Sequence, residues 1–315
     1  MLLTDYFYPN PDRTWEIALQ CGVKHGTIRL PEDKDYDVTD LNQLKAVTDR
    51  FLSYGIKPII VEPLPNELHD HIKLGDEKRD ECIEKFITLM KNLNEVDIGT
   101  VCFNFMAHYG WTRTDTDLPE RGGAQVTGFD LSHFRDDGMV LTQDEIWKNY
   151  FYFIRAVLPY AEKYGIRLAL HPDDPPLPEL GKVGRVMINL NNIKRAISEI
   201  PSPNLGVTFC QACYYIMGED MENAVRELKD KIFFVHFRNV TGTKENFRET
   251  FHDNGKLDMA KMMSIYHKYN VDVPIRVDHV PTLSFENKEK AGYDALGRLY
   301  AIGYLRGLIE AECKH

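Results

Sequence analysis

Four short apolar runs each end in, or carry, a residue able to bind a metal. His171 closes "LALH", Cys210 closes "VTFC", His236 sits in "FVHF", and Asp278, followed by His279, closes "RVDH". Imidazole, thiolate, imidazole and carboxylate together suit a borderline divalent transition metal such as Mn, Fe, Co, Ni or Zn. To bind it, both imidazoles must be neutral and the cysteine ionised. Taken singly, each residue reads as structural. A histidine at a strand end is usually a hydrogen-bonded rim residue, and a cysteine in an apolar run is usually a small buried group. What singles them out is that four ligand types fall at corresponding ends of four successive runs. The exit from the first run is also unusual. In "HPDDPP", Asp173 and Asp174 follow His171 at once, and three prolines stiffen the stretch. The aspartates read as groups that orient a ligand histidine or bind hydroxyls rather than as a paired acid/base couple. For Asp174, a cap on the turn after His171 is an equal reading.

Those positions need a scaffold that brings strand ends together. Eight apolar runs rich in β-branched or aromatic residues recur along the chain: "LLTDYFY", "HGTIRL", "KPIIVE", "GTVCFNF", "IRLALH", "NLGVTFC", "FFVHFRN" and "VPIRVDH". Between them lie amphipathic helical stretches such as 79–97, 143–165, 190–200, 219–231, 259–269 and 297–312. Alternating βα units imply a parallel sheet, and eight of them in 315 residues favour a (β/α)8 TIM barrel, read as a single domain over 1–315. No G-x-G-x-x-G opens a helix, so a dinucleotide fold has no support. In a barrel the C-terminal strand ends surround one mouth, where barrel enzymes keep their chemistry. Two long irregular stretches, 106–138 and 240–258, follow the fourth and seventh strands and are candidates for function. Cys210 and Cys213 form a C-x-x-C without a thioredoxin-like context or a second pair for structural zinc. His252 reads as a turn residue; His108 and His133 are loop candidates. The charge run "PEDKDYDVTD" reads as a solvated loop leading into a helix.

Composition excludes other classes. The chain is 43% hydrophobic and 27% charged, with net charge −10. That argues against a general nucleic-acid surface, which needs clustered Lys and Arg. No signal peptide is expected from "MLLTDYFYPNPDRTW". No run approaches the roughly 20 apolar residues of a membrane span. Six scattered cysteines suit a reducing cytoplasm, which leaves the sequon Asn239-Val240-Thr241 idle.

Five stretches in order, "HIKLGDEKRD", "VCFNFM" with "WTRTD", "HPDDPP", "VHFRNV" and "DH" followed by "GY", resemble the mannonate dehydratase family. The resemblance implies a (β/α)8 barrel that uses a divalent metal, manganese or iron(II), and removes water from D-mannonate to give 2-keto-3-deoxy-D-gluconate. It implies His171, Cys210, His236 and Asp278 as metal ligands, the quartet the strand ends suggest. It also implies His279 and Tyr293 as acid/base residues, and Trp111, Arg113, His69, Lys73, Arg238 and Asn239 along the active-site mouth; Asp173, read as a group that binds hydroxyls, is a further substrate-binding candidate. Two stretches depart from the family pattern. "DHVPTLSFENKEK" replaces "DHG" and a basic residue, and "HGTIRLPEDKDYD" lacks a "GEVW"-like loop. The partner expected is a small-molecule sugar acid, with no nucleic acid and no membrane; a homo-oligomer stays open. Two other functions fit a barrel with a metal: a sugar isomerase or epimerase, and a non-catalytic sugar-acid-binding homologue.

Overall fold

The eight apolar runs become the strands of a closed parallel barrel: β1 (Leu2–Phe7), β2 (His25–Ile28), β3 (Lys57–Val61), β4 (Thr100–Phe103), β5 (Arg167–Leu170), β6 (Leu205–Cys210), β7 (Ile232–Phe237) and β8 (Pro274–Val277). This computed structural model describes residues 1–286 and 290–312. Each strand pairs with its sequence neighbours, and β8 closes onto β1 from Leu2↔Pro274 to Thr4↔Arg276. The (β/α)8 TIM barrel expected from the sequence is the fold observed. β4, β6 and β7 are buried along their whole length, which is why they read as unbroken apolar runs rather than alternating ones.

The helices are α1 (Arg13–Gln20), α2 (Leu41–Ser53), α3 (Asn66–Leu74), α4 (Arg79–Glu95), α5 (Gln143–Tyr164), α6 (Leu190–Ser198), α7 (Gln211–Ile216), α8 (Met221–Leu228), α9 (Met259–Lys268) and α10 (Ala295–Glu312). Their starts are chemically marked. Asp40 ends the charge run 31–40 and caps α2 by accepting from the Asn42 and Gln43 N–H groups. Thr142 and Glu145 form a capping box on α5. Apolar helix faces pack on the barrel exterior; Trp15 of α1, for instance, stacks on Phe51 of α2 at 4.1 Å.

Strand register sets the levels of the site. Cys210 pairs with His236 across β6 and β7, and His236 pairs with Arg276 across β7 and β8. The first pairing follows a register shift between Val207 and Thr208. Beside that shift stands Gly206, where a Cβ would lie 2.3 Å from the Lys231 carbonyl oxygen, so only glycine lets the two strands approach.

The two long stretches expected to be irregular are so only in part. Asp115–Pro119 and Gln125–Asp130 from the first pair with Asn246–Glu249 and Val240–Gly242 from the second in one four-stranded antiparallel sheet. Their strands are short and polar, so the sequence carries little of the apolar alternation that marks a strand; the pairing is made between segments far apart in the chain. This sheet brings Arg113 and Glu249 together at the mouth.

Candidate metal centre at the barrel mouth

Residues at the ends of β5, β7 and β8 line a cavity of about 500 Å³, and Cys210 at the end of β6 stands beside His171 and His236 there without lining it. His171 follows β5 directly, and its backbone N–H donates to the Phe103 carbonyl at 2.7 Å, extending the ladder to β4. Its Nδ1 lies 2.7 Å from the Pro172 carbonyl oxygen. A carbonyl only accepts, so Nδ1 carries the hydrogen and Nε2 keeps its lone pair. Cys210 is fully buried. Burial opposes its ionisation, but a hydrogen bond with the Cys213 thiol and the Arg238 guanidinium outweigh it and hold the Cys210 thiol well below its ordinary range. Cys213 is pushed up, first by burial and then by that same hydrogen bond. The C-x-x-C thus sets the Cys213 thiol beside a Cys210 sulfur whose ionisation is favoured.

One donor atom from each of His171, Cys210 and His236 lies within 4.8 Å of the others. Asp278 stands beside this group: its Oδ2 is 3.5 Å from His236 Nδ1, while its Oδ1 accepts from Arg276 Nη1 at 2.8 Å. His236 is buried and neither ring nitrogen makes a well-directed hydrogen bond. Burial and Arg276 disfavour charge on it, yet Glu62 and Asp278 outweigh them and raise its pKa well above the usual value. A field that holds a proton there favours a cation as well. An orphaned buried imidazole, a free lone pair on His171 Nε2 and a thiolate-prone Cys210 fit a divalent transition metal.

His279 adopts φ 38°, a left-handed conformation uncommon for a residue with a side chain. Its Nδ1 lies 2.9 Å from Glu249 Oε1. Burial opposes ionisation of Glu249, but Arg238, His279 and Arg113 hold its carboxyl at about 2. Glu249 therefore only accepts, so Nδ1 of His279 carries the hydrogen and Nε2 is the nitrogen left for other chemistry on a ring that lines the cavity. Tyr293 also lines the cavity, its ring 5.3 Å from that of His279 and its Oη donating to Asp278 Oδ1 at 3.4 Å. Trp111 covers His279 from outside, with ring centroids 4.9 Å apart.

A buried ionic network braces this mouth. Arg113 forks onto Asp174, with Nη1 to Oδ1 at 2.8 Å and Nη2 to Oδ2 at 2.9 Å, and Nη2 also donates to Glu249 Oε1 at 2.7 Å. Arg238 donates to Asp174 Oδ2 at 2.7 Å and to Glu249 Oε2 and Oε1 at 2.8 and 2.6 Å. Asp174 is thus the shared acceptor of two arginines rather than a turn cap. Burial opposes its charge, but the two guanidiniums hold its carboxyl far below the usual range.

Of the residues expected to line the mouth, Trp111, Lys73 and Arg238 do so. Arg113 stands behind Trp111, in the network. Three expectations are corrected. His69 is 1% exposed among the rings of Phe103, Phe105 and Phe153, and burial with the Lys73 charge drives its pKa well below the usual value; it is a core residue. Asn239 spends its side chain on backbone, donating to the His252 and Leu257 carbonyls and accepting from the Val240 and Leu257 N–H groups. Asp173 accepts from the Val186 and Met187 N–H groups, both at 2.9 Å, and holds the loop instead of facing the cavity. His252 is the turn residue expected: it is buried, stacks on Phe237 and donates from Nε2 to the Phe237 carbonyl at 2.8 Å. His108 pairs with Asp137 at 2.7 Å, and His133 with Asp115 at 3.4 Å.

Glu62, Arg276 and Glu249 were not anticipated. Glu62 ends the third apolar run, so the strand-end rule applied to the last four strands finds it when extended to the third. Glu249 lies in a polar loop, and nothing local distinguishes it from its neighbours. Of the altered loop "DHVPTLSFENKEK", residues 287–289 lie outside the described residues.

Comparison with known proteins agrees with this geometry. The sequence profile of the D-mannonate dehydratase (UxuA) family matches residues 14–144 and 133–315. The mannonate dehydratase of Streptococcus agalactiae is 30% identical over 335 residues, covering 95% of this chain and 93% of that protein. The crystal structure of mannonate dehydratase from Streptococcus suis superimposes with a TM-score of 0.91 at 26% identity, covering 100% of this chain and 95% of that one. An L-ribulose 3-epimerase structure, at 13% identity and a TM-score of 0.63 over 98% of this chain and 95% of that one, shares the fold alone.

Proposed function

The chain belongs to the D-mannonate dehydratase family, and on that premise we propose that it is a metal-dependent hydro-lyase converting D-mannonate to 2-keto-3-deoxy-D-gluconate and water. The observation that carries the reading is the meeting of His171, Cys210 and His236 donor atoms within 4.8 Å at three successive strand ends. Those three residues, completed by Asp278, would hold Mn2+ or Fe2+. Once bound, the cation supplies Lewis-acid stabilisation of the negative charge that builds on substrate oxygens as a proton leaves.

The remaining chemistry falls to the chain. His279 takes the proton next to the substrate carboxylate at Nε2, and Glu249, accepting from Nδ1, stabilises the imidazolium that forms. Tyr293 Oη–H donates to the departing hydroxyl; burial and then the Asp278 charge push the phenol well above its usual pKa, so it carries its proton at neutral pH. Arg238 and Lys73 offer donors to substrate oxygens on the cavity wall, and Trp111 shields His279 from solvent. The same reading treats residues 1–315 as one catalytic domain working in the cytoplasm. Its support is that the described cysteines, Cys21, Cys82, Cys102, Cys210 and Cys213, are free thiols. Among the described residues no helix is long and apolar enough to cross a membrane.

The test is incubation of manganese-loaded protein with D-mannonate and an assay for 2-keto acid. No product with metal bound would overturn the substrate. Cys210→Ala should lose metal, while His279→Ala should keep it and lose turnover by roughly 10²–10⁴-fold. Full metal content in Cys210→Ala would remove the cysteine from the ligand set.

A further inference from the structure

His236 sits between two carboxylates that are tied to each other. Glu62 Oε1 lies 3.1 Å from its Nε2, and Asp278 Oδ2 lies 3.5 Å from its Nδ1. Arg276 donates from Nε to Glu62 Oε2 and from Nη2 to Glu62 Oε1, both at 3.0 Å, and from Nη1 to Asp278 Oδ1 at 2.8 Å. The four side chains close a ring, all of them buried. Register builds it: His236 and Arg276 are paired across β7 and β8, and Glu62 follows β3 with its N–H donating to the Ile28 carbonyl at 2.9 Å.

We infer that Glu62 and Arg276 are a positioning pair that sets the His236 ring with Nδ1 directed at the bound cation. The inference rests on His236 being a ligand. A carboxylate 3.1 Å from Nε2 favours the hydrogen on that nitrogen by its charge, although the contact is not a well-directed hydrogen bond, and so favours Nδ1 as the nitrogen for metal, the carboxylate–histidine–metal arrangement. Arg276 holds Glu62 in place because its fork engages both carboxylate oxygens. Its Nη1 donates to Asp278 Oδ1 as well as to the Val277 carbonyl, so Oδ2 is the oxygen left toward His236. Asp278 and the ring of His236 are thereby oriented by one guanidinium.

A competing reading makes Glu62 a ligand itself, since Glu62, Cys102 and His236 also bring donor atoms within 4.8 Å of one another. Arg276 opposes a second cation there: its charge already occupies both oxygens of Glu62 and would face the cation.

The experiment is titration of the metal-free protein with Mn2+, reading the free ion by its electron paramagnetic resonance signal, alongside thermal melting of each metal-free variant. One Mn2+ per chain is expected. Glu62→Gln should weaken binding roughly 10–100-fold, and Glu62→Asp should recover part of the loss. Because Glu62→Gln leaves Arg276 short of a counter-charge, Glu62→Gln/Arg276→Gln removes both charges and should bind as weakly as the single variant while melting close to wild type. Mn2+ affinity within twofold of wild type in both variants overturns the inference. So does a second Mn2+ in wild type that Glu62→Gln abolishes. His236→Ala separates the two claims. Lost binding there with intact binding in the Glu62 variants defeats the positioning role alone; wild-type binding there defeats the ligand reading and this inference with it.

Discussion

Replacing Glu249 by glutamine removes one negative charge from the buried network at the mouth while nearly keeping its shape. Arg113 and Arg238 are balanced by Asp174 and Glu249, so the variant leaves one guanidinium charge in excess in a network whose side chains are 0–2% exposed. The Glu249 carboxyl is held at about 2 against an ordinary 4.5, which corresponds to roughly 3 kcal/mol of preference for its charged form. Breaking a buried ion pair from one side costs about 3–5 kcal/mol by a separate route, so the two figures agree. With an unfolding entropy of about 2.1 cal/mol/K per residue, 315 residues convert that loss into a fall in Tm of roughly 5–8 °C. The same change frees the His279 tautomer. A glutamine NH2 turned toward Nδ1 would move the hydrogen to Nε2 and remove the base, so kcat should fall roughly 10–100-fold. Thermal melting followed by circular dichroism and a 2-keto-acid assay read the two effects separately. A variant that melts within about 1 °C of wild type and keeps its kcat would show that the network neither braces the mouth nor orients His279.

Other outcomes follow from the same geometry. Burial holds His252 at about 4 against an ordinary 6.5, despite its bond to the Phe237 carbonyl. The unfolded chain therefore binds more protons between those values. The stability contributed by neutral His252 is full above pH 6.5 and is lost as pH falls toward 4, a change of roughly 3 kcal/mol. Urea midpoints of His252→Gln should vary less over that window than those of wild type, and parallel curves would count against the assignment. His69→Phe exchanges a core histidine for a ring of similar size among three phenylalanines, so it should change stability by less than about 1.5 kcal/mol and leave KM unchanged. A tenfold rise in KM would return His69 to the substrate. In Gly255→Ala the new Cβ would lie 2.0 Å from Asn239 Oδ1, and Asn239 is pinned by backbone hydrogen bonds on both sides of its amide. A cost of about 1–3 kcal/mol in urea unfolding is expected, and wild-type stability would mean that Asn239 can swing aside.

The barrel was legible because each strand is a local run bounded by turn residues, and closure makes corresponding strand ends neighbours whatever their distance in sequence. That is why His171, Cys210, His236, Asp278 and His279 could be set at one mouth before any contact was known. What surrounds them was not legible in the same way. Asp173 and Asp174 are adjacent in the chain, yet one accepts two loop N–H groups and the other takes two arginines that lie more than sixty residues away. His69 and His279 are both histidines in family-like motifs, yet one packs among phenylalanines and the other is held by Glu249 from a remote loop. Local pattern sets periodicity and burial, so it determined the strands and their ends. Charge partners, tautomers and the direction a side chain faces depend on contacts between segments distant in sequence, and those only the tertiary structure decided.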